Sequence, residues 1–148
     1  MTDNLNALED WAGALLQRLK PTERRKLNQT IARELRRSQQ RRIAAQQNPD
    51  GSAYAPRKPR KNLRRSGGIK MFAKLRQARH LKLQSDADSI AVGFLGSSAR
   101  IARIHQEGLE DTVERGGPKV RYARRELLGF TEADLEMIRD RLLQHLAL

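Results

Sequence analysis

The sequence contains no cysteine. Disulfides, thiolate metal sites and thiol nucleophiles are therefore excluded. No run of about 18 apolar residues occurs, so no membrane-crossing helix is expected. The opening Met-Thr-Asp-Asn-Leu-Asn is polar and faintly acidic, the wrong pattern for a secretory signal, and a cytoplasmic origin is expected. No glycine-rich stretch ends in Gly-Lys-Ser/Thr, so the usual phosphate-binding loop is missing. Histidine is scarce: His80, His105 and His145 lie on three different predicted elements, and no pair has the spacing of a helical zinc site. No catalytic set and no cofactor site is read from this chain. Acidic residues are absent from positions 51–85, which carry eleven basic ones.

What is present is mostly positive charge. Thirty Lys and Arg against seventeen Asp and Glu give a formal net charge of +13 on 148 residues. The first 50 residues hold a net +4 and the last 63 a net −2, so the excess sits in the middle quarter. Such a stretch repels itself and seeks an anionic partner, either nucleic acid or an acidic protein surface. The length suits one domain with a core that needs no staples.

Hydrophobic periodicity organises the rest. Leu5, Leu8, Ala12, Leu15, Leu16 and Leu19 predict a first helix that Pro21 ends. A second helix is predicted over 21–47, with Leu27, Ile31, Leu35 and Ile43 as a thin apolar stripe. So narrow a stripe leaves much of the helix to water or a partner. Asn48-Pro49-Asp50-Gly51 stops it with turn residues. Residues 48–68, with three prolines, three glycines and six basic residues, read as a mobile basic insert. A short helix follows from Ile69 to Leu75. Alternation then predicts strands at Leu81–Leu83 and Ile90–Phe94 around an Asp86–Asp88 turn.

Ser97 or Ser98 is expected to cap a helix whose face carries Ile101 and Ile104, ended by Gly108. His105 would serve the C-terminal end of that helix. A polar loop spans 109–118, and Val120 and Tyr122 mark a third strand. Thr131 opens the last helix, with Leu135, Ile138, Leu142 and Leu146 inward. The expected fold class is α+β: a single domain over 1–148, helices packed on a small antiparallel sheet, with a long basic loop insert.

Three stretches together carry a family likeness. They are RSQQRRIAAQQNPDGSAYAPR from Arg37 to Arg57, IARIHQEG from Ile101 to Gly108, and YARRELLGFT from Tyr122 to Thr131. In this order and spacing the chain resembles the phage virion morphogenesis family, the tail completion proteins of contractile-tailed bacteriophages. The resemblance implies a structural, non-enzymatic protein that completes the tail at its head-proximal end for head–tail joining. It would be made in the host cytoplasm and end in the virion. It also implies a self-assembled ring, sixfold like contractile tails, touching other tail and neck proteins and enclosing a channel for duplex DNA. Pro49, Asp50, Gly51, His105, Gly108 and Gly129 would then shape the fold and ring contacts. Arg37, Arg41, Tyr54, Arg57 and Lys58 are candidate interface residues, with Tyr54 as aromatic anchor. Arg60, Lys61, Arg64 and Arg65 are candidate lumen-facing residues for DNA. The rival reading is a non-specific nucleic-acid-binding basic protein.

Overall fold

The structure, a computed structural model, describes residues 2–57, 70–112 and 115–146. Four helices and four strands follow in the order α1 (Thr2–Leu16), α2 (Pro21–Ala44), β1 (Leu81–Ser85), β2 (Ile90–Phe94), α3 (Ser97–Glu107), β3 (Glu110–Thr112), β4 (Lys119–Arg121) and α4 (Glu132–Leu146). The fold is α+β, as expected. The strands form two separate two-stranded antiparallel sheets, β1–β2 and β3–β4, rather than one. β3 lies inside the expected polar loop. Glu110 and Asp111 are poor strand formers, but with Thr112 they pair with Arg121, Val120 and Lys119, and Arg100 Nη2 grips the Asp111 carboxylate at 2.9 and 3.0 Å.

The chain divides into two compact units, each assembled from separated pieces. Unit 1 takes Met1–Ser38, Leu83–Val92 and Phe130–Leu148. Its core is Leu27, Ile31 and Leu35 of α2 with Leu142 of α4, and Trp11, Leu16, Ile90, Val92, Met137 and Ile138 pack around them. Pro21 is tolerated at the start of α2 because its missing N–H would have no intrahelical partner there. Asp86 builds the β1–β2 turn by accepting hydrogen bonds from the Asp88 and Ser89 amides, which hold its carboxyl below the usual range. Asn28 donates to the Asp86 carbonyl and fixes that turn to α2. Thr131 and Asp134 cap α4 reciprocally: Thr131 Oγ1 accepts from the Asp134 amide and the Asp134 carboxylate from the Thr131 amide.

Unit 2 takes Gln39–Lys82 and Gly93–Gly129. Ile43, Tyr54, Ala102 and Leu127 form its core, with Met71, Phe72, Leu75 and Phe94 packed against them. α2 ends three residues before the expected point, at Ala44. Gln46 takes a left-handed φ of 58°, and the Gln46 and Gln47 amides bond the Ile43 and Arg42 carbonyls. Glycine usually fills this position, and another residue costs on the order of 1 kcal/mol there. The Gln46 side chain offsets that cost by pairing with both backbone groups of Met71, at 2.8 and 2.9 Å. Ile69 lies outside the described residues, and over 71–75 successive turns replace the expected helix, because Phe72 also sits at positive φ, 65°, and turns its ring into the core. α3 starts without a side-chain cap. Gly96 occupies the capping position, and Ser98 bonds His80 Nδ1 instead. Gly108 ends α3 in the left-handed region, φ 65°, as expected.

Candidate functional site

The three sequence stretches that carry the likeness converge in unit 2. Their meeting point is the irregular segment Arg125–Gly129, which bends at Leu127 and Leu128. It belongs to neither sheet, yet Leu127 is fully buried and its neighbours are half-buried or buried. Buried backbone N–H and C=O groups cost free energy unless paired. Here side chains supply the pairing. Gln106 of α3 accepts from the Leu127 and Leu128 amides at 2.8 and 2.9 Å and donates to the Leu128 carbonyl at 2.8 Å. Gln39 of α2 treats Gly129 the same way, accepting from its amide at 3.2 Å and donating to its carbonyl at 2.8 Å. Asn48 Oδ1 accepts from the Glu126 amide at 2.9 Å. Each primary amide offers a donor beside an acceptor, which is what a neighbouring strand would offer.

Arg42 completes the clamp. It is 8% exposed and donates to the carbonyls of Glu126 at 2.8 Å, Leu127 at 2.7 Å and Gln47 at 3.0 Å, and to Gln39 Oε1 at 2.5 Å. No carboxylate pairs with it among the described residues. Carbonyl dipoles and the negative end of α2 stabilise the buried charge. Arg125 does the matching work on the other flank. Its guanidinium bonds the carbonyls of Ala55 at 2.8 Å and Pro56 at 3.2 Å.

The turn after α2 is ordered by its own chemistry. The Asp50 carboxylate accepts from the amide and hydroxyl of Ser52, which lowers its pKa, and Gly51 takes φ 90°. Asn48 and Ser52 close the turn through a 2.8 Å backbone bond, and Gln47 bridges Ala53. Pro49 then packs on Gly129 so closely that a Cβ there would lie 2.4 Å from the proline Cγ. That approach explains why one stretch needs Pro49 and another needs Gly129.

Residues 48–57 of the expected mobile insert therefore belong to the folded unit. Tyr54 is corrected with them. It is 5% exposed, its hydroxyl donates to the Glu126 carbonyl at 2.9 Å, and its ring meets Phe72 edge-on at 5.7 Å. An aromatic so enclosed is a core residue and not an anchor for a neighbour. Arg37, Arg41 and Arg57 are exposed, and the clamp does not include them. Lys58, Arg60, Lys61, Arg64 and Arg65 lie outside the described residues.

His105 departs from its expected part as a cation at the end of α3. It lies edge-on between Phe72, at 4.7 Å, and Tyr122, at 5.0 Å. Burial, then the charges of Arg125 and Arg57, push its pKa down to about 4, so the ring is neutral near pH 7. Arg125 can only donate, so at 3.3 Å His105 Nδ1 is the acceptor and the proton sits on Nε2. The backbone carbonyl of His105, not its ring, ties the helix end, accepting from the Gly108 and Arg125 amides.

Gln39 and Arg42 escaped sequence reading because polar residues on a basic helix look solvated, and Asn48, Gln106 and Arg125 because polar residues in turns, at helix ends and in loops look the same. One signal was available. Leu35, Gln39, Arg42 and Ile43 follow each other at helical spacing, so the polar pair sits on the line of the buried stripe.

The geometry thus shows a protein in which polar residues of the three stretches bind the chain's own backbone. The chain belongs to the phage virion morphogenesis family, whose pattern it matches over residues 3–147. It is 41% identical over 141 residues to the tail completion protein S of Escherichia phage P2, covering 93% of this chain and 94% of that protein. No solved structure matches it.

Proposed function

We propose that this protein is a structural component of a phage tail that completes the tail at its head-proximal end for joining to a head. The observation that carries the reading is the likeness to a tail completion protein along nearly the full length of both chains. The clamp supports it, since Gln39, Arg42, Asn48 and Gln106 of these stretches are spent on holding Arg125–Gly129 in place. The protein acts by contact and is not an enzyme. It works as a closed ring of its own copies, six by the symmetry of contractile tails, against other tail and neck proteins. Closed rings need head-to-tail contacts between two different surfaces. Exposed Arg37, Arg41 and Arg57, with Lys58, serve those contacts, and Arg60, Lys61, Arg64 and Arg65 face duplex DNA in the channel.

The test is a phage deleted for this gene and complemented with an Arg42→Met copy or the wild type. The wild type is expected to restore joined particles, and electron microscopy to place a ring between tail and head. Particles that join normally without the protein would refute the proposal. The net charge of +13 favours a second reading, non-specific nucleic-acid binding. Duplex binding that is independent of sequence and falls steeply with salt, by a protein absent from virions, would establish that reading instead.

A further inference from the structure

Within unit 1 the two long helices have sorted their charges. α2 has two acidic residues, Glu23 and Glu34, and both are taken by α4. Arg141 holds Glu34 at 2.6 Å and His145 holds Glu23 at 2.9 Å. The rest of α2 in this unit therefore presents basic residues outward. Arg25, Arg33 and Arg37 are exposed and Arg36 half-exposed, and helical spacing puts them within about a third of the circumference. Among the described residues no carboxylate lies within ion-pair distance of Arg33, Arg36 or Arg37. Arg25 reaches only the charge of Asp86.

α4 shows the reverse. Its Arg141 and His145 are turned to α2, and Asp134 is buried as the helix cap. Glu132, Glu136 and Asp140 remain exposed at steps of four, with Arg139 as the one base among them and Leu143, 48% exposed, at the end. None of the three carboxylates has an ion-pair partner among the described residues. The basic face runs about 18 Å from Arg25 to Arg37 and the three carboxylates about 12 Å from Glu132 to Asp140, at 1.5 Å per residue. The acidic face fits within the span of the basic one and opposes it in sign.

We infer that the outer face of α2 in one copy docks on the outer face of α4 in a second copy, with Arg33 and Arg37 against Glu136 and Asp140. The inference rests on the ring reading above and names its contact. One chain carries both halves, so the contact is heterologous and repeats from copy to copy. Leu143 lies at the margin, where the long arginine stems cover it. Opposed charge sets which faces meet and makes the contact sensitive to salt.

The experiment uses the full-length protein in three forms: wild type, Arg33→Glu/Arg37→Glu, and Glu136→Arg/Asp140→Arg. Self-association is measured by sedimentation at about 50 and 500 mM salt, over which the Debye length falls from about 14 to about 4 Å. The wild type should weaken at least about tenfold at high salt, and each variant alone about a hundredfold at low salt. An equimolar mixture of the two variants should return to within a few-fold of the wild type, because each then meets its opposite. That rescue also shows that both variants fold. The cysteine-free chain permits a second readout: Arg33→Cys and Glu136→Cys on separate chains should form a disulfide with each other and not with themselves.

A mixture no better than its components overturns the contact. So does loss of duplex DNA binding in Arg33→Glu/Arg37→Glu without any rescue of self-association, which would assign the face to nucleic acid. A ring seen in virions of both variants refutes this contact while the ring reading stands. A wild type that stays monomeric at low salt and forms no crosslink in purified tails overturns both.

Discussion

The two units hold themselves together by different chemistry. Unit 1 buries leucine and isoleucine between helices, and its buried polar groups, Asn28 and Asp134, serve a turn and a helix cap. Unit 2 has an apolar centre of similar size, yet its segment Arg125–Gly129 is held by Gln39, Arg42, Asn48 and Gln106. Apolar burial is non-directional, so a core residue tolerates a neighbour of similar volume. Hydrogen bonds to buried backbone tolerate no apolar substitute, because the stranded group loses water and protein alike. Equal changes in volume should therefore have unequal effects in the two units.

The largest effect is expected at Arg42. Arg42→Met keeps much of the volume, strands the Leu127 carbonyl and takes a charged donor from the carbonyls of Gln47 and Glu126, the latter keeping Tyr54. A loss of about 3–4 kcal/mol in denaturant unfolding is expected from these lost bonds together. Next comes Gln106→Leu, which leaves the Leu127 and Leu128 amides and the Leu128 carbonyl without partners and should cost about 2–3 kcal/mol. The matching change in unit 1, Leu35→Met, should cost less than about 1.5 kcal/mol. Equal losses at Gln106 and Leu35 in chemical denaturation would break the comparison.

The smallest effect is a slope. His105 has a folded pKa near 4 against an ordinary 6.5, so below pH 6.5 the unfolded chain takes a proton that the folded chain refuses. Its contribution to stability is complete above pH 6.5, falls as pH drops toward 4, and changes no further below that. His105→Phe keeps the ring stack and removes this titration. Its stability should fall less steeply between pH 6.5 and 4 than that of the wild type, and parallel curves would show that His105 is not held neutral.

Unit 1 was legible in the sequence because its logic is periodic. Leu27, Ile31 and Leu35 recur at helical spacing, and the caps and turns announce themselves through Pro21, Asp86 and Thr131. Unit 2 was half legible. Its strand β4 and the Gly108 stop follow from alternation and punctuation, β3 was read as loop, and the likeness brought its three stretches together. The clamp was hidden, because its bonds join residues up to 90 positions apart and its donors are common surface residues. The exposed Ile101 misled for the opposite reason: α3 buries Ser98 and Ala102 and leaves the larger side chain 46% exposed. Tyr54 misled because a segment so rich in proline and charge gives no hint that its aromatic is claimed by its own core.

A segment with free N–H and C=O groups is a template for strand addition by another chain, the first step of much aggregation. In Arg125–Gly129 those positions are already filled by glutamine and asparagine amides from the same chain. A subunit kept at high concentration before it finds its place would be exposed to such templating. These amides act as built-in gatekeepers, closing to invading strands an edge that no sheet partner covers.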